Sequence, residues 1–245
     1  MISQAGSLDL FLISDEVGGG LPLFTPKGFQ LRRALENFLT SEKEKRGYSF
    51  VWTPNIAKSD LYVQSGHWQK YDAMYPPINF PKEKGSETGE IYALKAMNCP
   101  HHFQIYLAKK RSYREFPIRL AENGTVYRHE KSGELNGLFR CRALTIDDTH
   151  TFVRHDQIFS EYSNVIALIK EVYKKFGFEK FWVRVSVRDE KHAVKYMGSE
   201  KLWKEAEEAI IEAAKRNNLP HVMGPGEAAF YGPKLDFMIE DALGR

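Results

Sequence analysis

Apolar side chains recur at helical spacing from Lys27 onward. Leu31, Ala34, Leu35, Phe38 and Leu39 share one face and Gly47 supplies a stop, so the pattern predicts a helix over Lys27 to Lys45. Tyr48 to Thr53 reads as a strand that Pro54 ends. A further strand, Ile91 to Ala96, runs into a helix with Asn98 as cap and Pro100 in its first turn, which places Cys99 at a strand-to-helix junction. Downstream, Ile158, Phe159, Tyr162, Val165, Ile166, Ile169, Val172 and Tyr173 mark an amphipathic helix over Asp156 to Phe176, and another is expected over Leu202 to Asn217. Between them Val183, Val185 and Val187 alternate as a strand.

The strands between Arg119 and Phe152 follow one another through a short loop, so they should pair antiparallel. With helices interspersed, this predicts an α+β fold: an antiparallel sheet flanked by helices rather than a doubly wound parallel sheet. Neither a Gly-x-Gly-x-x-Gly after a strand nor a Gly-x4-Gly-Lys-Ser/Thr occurs, and Gly18-Gly19-Gly20 reads as a flexible turn. No repeat, low-complexity tract or long linker divides the chain, so one compact unit over residues 1–245 is expected.

The hairpin Gly124 to Phe152 carries the strongest chemical signal. Its strands are expected over Thr125 to Glu130 and Leu138 to Phe152, joined by the loop Lys131 to Gly137. Residues two apart share a face, so an unbroken second strand projects Arg140, Arg142, Leu144, Ile146, Asp148 and His150 from one side, with Arg128 and Glu130 sharing a side on its partner. A β-bulge would shift that register. Pattern alone fits an exposed face with cross-strand ion pairs equally well. The opposite face, Cys141, Ala143 and Thr145, is small and suits packing against helices, which turns the charged face toward a cleft. Arginine forks there suit phosphate oxygens, and Glu130 can accept from an exocyclic amino group.

Composition narrows the class. The chain has 245 residues, 42% of them hydrophobic, which is enough for a substantial core. No apolar run approaches the ~18 residues of a membrane span, and Met1 to Asp9 lacks a secretory layout, so a cytoplasmic protein is expected. Two cysteines, Cys99 and Cys141, make no disulfide framework and read as free thiols or metal ligands. A net charge of +3 is too small to establish nucleic-acid binding, and the clusters Lys43 to Arg46 and Lys109-Lys110-Arg111 read as solvated helix surface.

Longer runs carry a resemblance. Arg128-His129-Glu130 through Gly137-Leu138-Phe139-Arg140-Cys141-Arg142 resembles motif 2 of class II aminoacyl-tRNA synthetases. Leu8-Asp9-Leu10-Phe11, Ser65-Gly66-His67-Trp68, Met97-Asn98-Cys99-Pro100, Asp147-Asp148-Thr149-His150 and Phe230-Tyr231-Gly232-Pro233-Lys234 resemble the threonyl family in particular. The resemblance spans nearly the whole chain and implies the catalytic domain of a threonine–tRNA ligase. ATP would activate L-threonine to the adenylate, which is then transferred to the 3′ end of tRNA(Thr). Pro54 after the first helix and strand suits motif 1, which implies a homodimer.

By the same resemblance Arg128 contacts the α-phosphate, with Glu130 and Arg140 as further ATP contacts and Mg²⁺ accompanying the nucleotide. Met97, Asp148, Tyr231 and Lys234 face threonine, and His67 assists proton transfer in the second step. Cys99 and His150 bind Zn²⁺ with a further histidine downstream, and the metal holds the amino group and hydroxyl of threonine while Asp148 accepts the hydroxyl proton. Such a site rejects valine, which lacks the hydroxyl, but not serine, so a separate editing protein or domain is expected. Leu144 and Ile146 depart from the family, which more often has an aromatic and a Gln there. Motif 3, a third zinc ligand and the anticodon-binding domain are not found up to Arg245. A non-catalytic synthetase paralogue or fragment that binds RNA or a partner is the alternative.

Overall fold

The computed structural model describes residues 8–82, 89–178, 180–240 and 244; of the segments read above, Met1 to Ser7 and Arg245 lie outside the described residues. The chain divides into two compact units, Met1–Phe152 and Val153–Arg245. Both mix helices with sheets, largely antiparallel in the first unit and mixed in the second, the α+β organisation expected from the order of elements.

The first unit begins with β1 (Phe11–Leu12) and β2 (Leu23–Phe24), an antiparallel pair. Helix α1 (Pro26–Glu44) follows, opened by Thr25, whose hydroxyl accepts from the Gly28 N–H at 3.1 Å. Next come β3 (Ser49–Phe50), β4 (Ile56–Lys58), α2 (Ser59–Gln64), α3 (His67–Lys70), β5 (Ile78–Asn79) and β6 (Ile91–Leu94). Helix α4 (Cys99–Leu107) leads to the long hairpin β7 (Ile118–Tyr127) and β8 (Ala143–Phe152). The sheets run β3-β7-β8 and β4-β6-β5.

Two expectations change here. The strand over Tyr48 to Thr53 shrinks to β3, because the Thr53 N–H bonds the Glu122 carboxylate at 2.8 Å rather than a ladder carbonyl. Hairpin pairing spans Ile118↔Phe152 to Tyr127↔Ala143, so Arg128, Glu130, Arg140 and Arg142 leave the strands. Arg142 gives its N–H to Gly20 O at 2.7 Å, while the Arg128 N–H reaches Arg142 O at 2.9 Å. The Gly18-Gly19-Gly20 turn is therefore docked on the hairpin, and Gly20 is required: its φ is 76°, and a Cβ there would lie 2.8 Å from Leu135 Cδ2.

The face assignment survives where the strands are regular. On the side of Thr145 and Asp147, α1 packs down: Arg32 donates to Thr145 Oγ1 at 2.7 Å, and the Lys43 ammonium pairs with Asp147. Lys43 is buried, so the solvated-surface reading fails for it, while Lys45 and Arg46 pair with Glu42. The face of Asp148 and His150 is not an open cleft along its length, because α4 covers it at that end.

The second unit holds α5 (Ile158–Phe176), β9 (Phe181–Val187), α6 (Glu200–Arg216), β10 (His221–Pro225) and β11 (Lys234–Ile239). β9 is central, parallel to β10 and antiparallel to β11. The alternation of Val183 and Val185 buries both in a cluster with Ile166, Ile210, Ala213 and Leu219, so the amphipathic faces read from sequence build this core. Gly177, at φ 76°, ends α5.

Candidate active site

Cys99 opens α4, directly after the turn that follows β6, while Asp148 and His150 sit two apart on β8. The fold brings the three together: a ligand atom of each lies within 4.8 Å of the others. Among the described residues this is the one such group of three or more His, Cys, Asp or Glu. Asn98 does not act as a side-chain cap for α4; its amide donates to Asp148 Oδ2 at 3.1 Å instead. The close approach needs Gly124 on β7, where a Cβ would lie 2.3 Å from Asn98 Oδ1. That Oδ1 is buried without a hydrogen-bond partner.

Behind the cluster lies a buried polar chain that the sequence reading did not single out. His150 Nδ1 lies 2.8 Å from His102 Nδ1, and His102 Nε2 lies 3.0 Å from Glu122 Oε2. The Lys95 ammonium, fully buried, is 3.6 Å from Glu122 Oε1 and donates to Thr53 Oγ1 at 2.9 Å. Burial alone would raise the Glu122 carboxyl, but hydrogen bonds from His102 and Thr53 and the Lys95 charge outweigh it and hold it at about 2. His102 stands three residues after Cys99 and so on the same side of α4, a spacing that could have flagged it.

Burial, reinforced by the Asp148 carboxylate, pushes the Cys99 thiol up to about 11. His150 is shifted down, chiefly by burial, which keeps its imidazole in the neutral form that binds metals. The Cys99 sulfur and a His150 ring nitrogen in this proximity are donors that zinc accepts, with the Asp148 carboxylate beside them, so these residues fit the metal. Cys141 lies elsewhere, its Sγ donating to Gly137 O at 3.2 Å and lining a cavity of about 480 Å³ beside α1.

The other residues read from sequence fall into separate groups. Arg128 is half-buried with its guanidinium 5.8 Å from the centre of the Tyr71 ring, a cation–π contact that sequence spacing could not reveal. Glu130 and Arg140 meet one another at 3.3 Å, and Arg140 also reaches Glu134 at 3.1 Å. Arg142 ties the loop together through Glu130 O, Gly19 O and Ser132 Oγ. Met97 is half-buried two residues before Cys99. His67 begins α3, buried, with Nδ1 at 2.8 Å from Ser65 Oγ, and burial shifts it down. Tyr231 and Lys234 belong to the second unit, where Tyr231 is exposed and Lys234 bonds Asp236 at 2.6 Å.

Residues 81–245 match the family described as tRNA synthetase class II core domain (G, H, P, S and T), and the chain belongs to that family. Threonine–tRNA ligases are among the proteins it is similar to. The chain is 51% identical over 239 residues to that of Chlorobium phaeobacteroides, covering 97% of this chain and 36% of the relative. The ligase of Synechococcus elongatus is 54% identical over 240 residues, with 97% and 39% covered. The chain thus spans somewhat more than a third of the length of these curated relatives. Among solved structures, one titled as the RNA binding domain of threonyl-tRNA synthetase from Cryptosporidium parvum superposes with TM-score 0.88 at 36% identity, covering 98% of this chain and 57% of that one. A threonyl-tRNA synthetase structure from Aeropyrum pernix, titled ThrRS-1, gives 0.86 at 36% identity, with 98% and 56% covered.

Proposed function

We propose that the protein is the catalytic region of a threonine–tRNA ligase, activating L-threonine with ATP and passing it to the 3′ end of tRNA(Thr). The convergence of Cys99, Asp148 and His150 within 4.8 Å carries this reading, because it joins a metal donor set to a carboxylate suited to a hydroxyl. Cys99 and His150 would hold Zn²⁺. When bound, the metal supplies Lewis acidity and open coordination for the amino group and hydroxyl of threonine.

Asp148 then accepts the substrate hydroxyl, held in place by the Asn98 amide. Valine leaves that carboxylate unpaired, whereas serine satisfies it, so removal of mischarged serine falls to a separate editing activity. Arg128, steadied against Tyr71, stabilises charge on the α-phosphate during attack by the threonine carboxylate. Glu130 and Arg140 must exchange their mutual ion pair for ATP, whose phosphates carry Mg²⁺. His67 assists proton transfer in the second step; Met97 is a threonine contact in the first unit, and Tyr231 and Lys234 are threonine contacts carried by the second. The motif 1 resemblance around Pro54 supports a homodimer, and the protein works in the cytoplasm.

Threonine-dependent ATP–pyrophosphate exchange, measured with zinc present, tests the reading. Exchange with threonine but not valine is expected, together with one zinc per chain that is lost in Cys99→Ala. Absence of exchange in zinc-loaded protein would instead favour a non-catalytic paralogue.

A further inference from the structure

We infer that Glu122, acting through His102, is a positioning residue that holds His150 in its Nδ1–H tautomer and so leaves the Nε2 lone pair for a cation. The inference rests on the zinc reading above for its purpose, but its geometry stands independently.

Proton bookkeeping along the chain allows one neutral arrangement. Glu122 is surrounded by donors: the Thr53 N–H at 2.8 Å and the Thr53 hydroxyl at 3.1 Å from Oε1, the same hydroxyl at 2.9 Å from Oε2, and Lys95 at 3.6 Å from Oε1. A carboxylate among them only accepts, so His102 Nε2, 3.0 Å from Oε2, carries a proton. In a neutral imidazole the other nitrogen is then an acceptor. His102 Nδ1 therefore accepts across the 2.8 Å contact, and His150 Nδ1 donates. The lone pair of His150 falls on Nε2. Asp148 Oδ1, 4.0 Å from His150 Nδ1, further favours a proton on that nitrogen.

The arrangement has a reversible counterpart. In Glu122→Gln the Thr53 N–H and Lys95 retain the amide oxygen at the Oε1 position, so the amide NH₂ turns to His102. His102 Nε2 then accepts, its Nδ1 donates, and His150 is left protonated on Nε2. A nearly isosteric change two hydrogen bonds away thus moves the proton onto the nitrogen that a metal would need.

Long-range ¹H–¹⁵N spectra of metal-free protein labelled at its eight histidines report the tautomer directly, with His150 assigned by its loss in His150→Gln. Wild-type protein is expected to show His150 protonated at Nδ1, and Glu122→Gln at Nε2, with the zinc dissociation constant raised about tenfold to a hundredfold. Wild-type His150 protonated at Nε2 would overturn the inference even if the variant fails to fold. An unchanged tautomer and unchanged zinc affinity in folded Glu122→Gln would overturn it too. If wild-type protein shows the Nδ1–H form yet binds no zinc, the positioning stands and the zinc reading falls.

Discussion

The amide of Asn98 reaches Asp148 across 3.1 Å, and it does so because residue 124 on the intervening strand has no side chain. A cap position is thereby spent on orienting a carboxylate of the site. Asp148 keeps one oxygen fixed, and its neighbours Cys99 and His150 take their places around it.

Gly124→Ala tests that dependence. The added methyl would lie 2.3 Å from Asn98 Oδ1, so the strand or the α4 junction must shift. A loss of about 1 to 3 kcal/mol is expected, as for other overpacked sites. Thermal or urea unfolding gives the loss, and it should be accompanied by weaker zinc binding.

The ion pair under α1 is asymmetric. The Lys43 side chain is 3% exposed, whereas that of Asp147 is 32% exposed. Asp147→Asn strands a buried ammonium and should cost about 3 kcal/mol, while Lys43→Met leaves a carboxylate that water can still reach and should cost about 1 kcal/mol. Urea midpoints of the two variants are expected in that order; the reverse order would mean that Asp147 is held by other contacts.

Acid should weaken the buried chain at Glu122. Its carboxyl is held at about 2 against a usual 4.5, so its contribution to stability is fully present above about pH 4.5 and is lost as pH falls toward 2. Urea unfolding across this range should show a smaller loss in Glu122→Gln than in wild type. Equal slopes would indicate that other carboxylates carry the acid limb.

Zinc is expected to raise the melting temperature of metal-free protein, since a ligand at a hundredfold its dissociation constant stabilises by about 2.7 kcal/mol. Cys99→Ala should abolish the shift, whereas Cys141→Ala should retain it, because Cys141 bonds Gly137 O away from the cluster. Differential scanning fluorimetry with and without a chelator reads both.

Sequence alone determined the elements whose apolar period is unambiguous: α1, α5, α6, the Val183 to Val187 alternation and the antiparallel hairpin. It also placed Cys99 at a strand-to-helix junction and Asp148 and His150 on one strand face, because local period and side-chain alternation need no tertiary information. Tertiary structure decided where the hairpin stops pairing, since Arg142 spends its N–H on Gly20 rather than on the partner strand. It likewise decided that Lys43 is buried, that Asn98 serves Asp148, and that Glu122 and His102 stand behind His150. Each of these is a hydrogen-bond choice between residues far apart in sequence. A buried donor or acceptor must be satisfied by whatever the fold brings near it, and no local pattern specifies that partner.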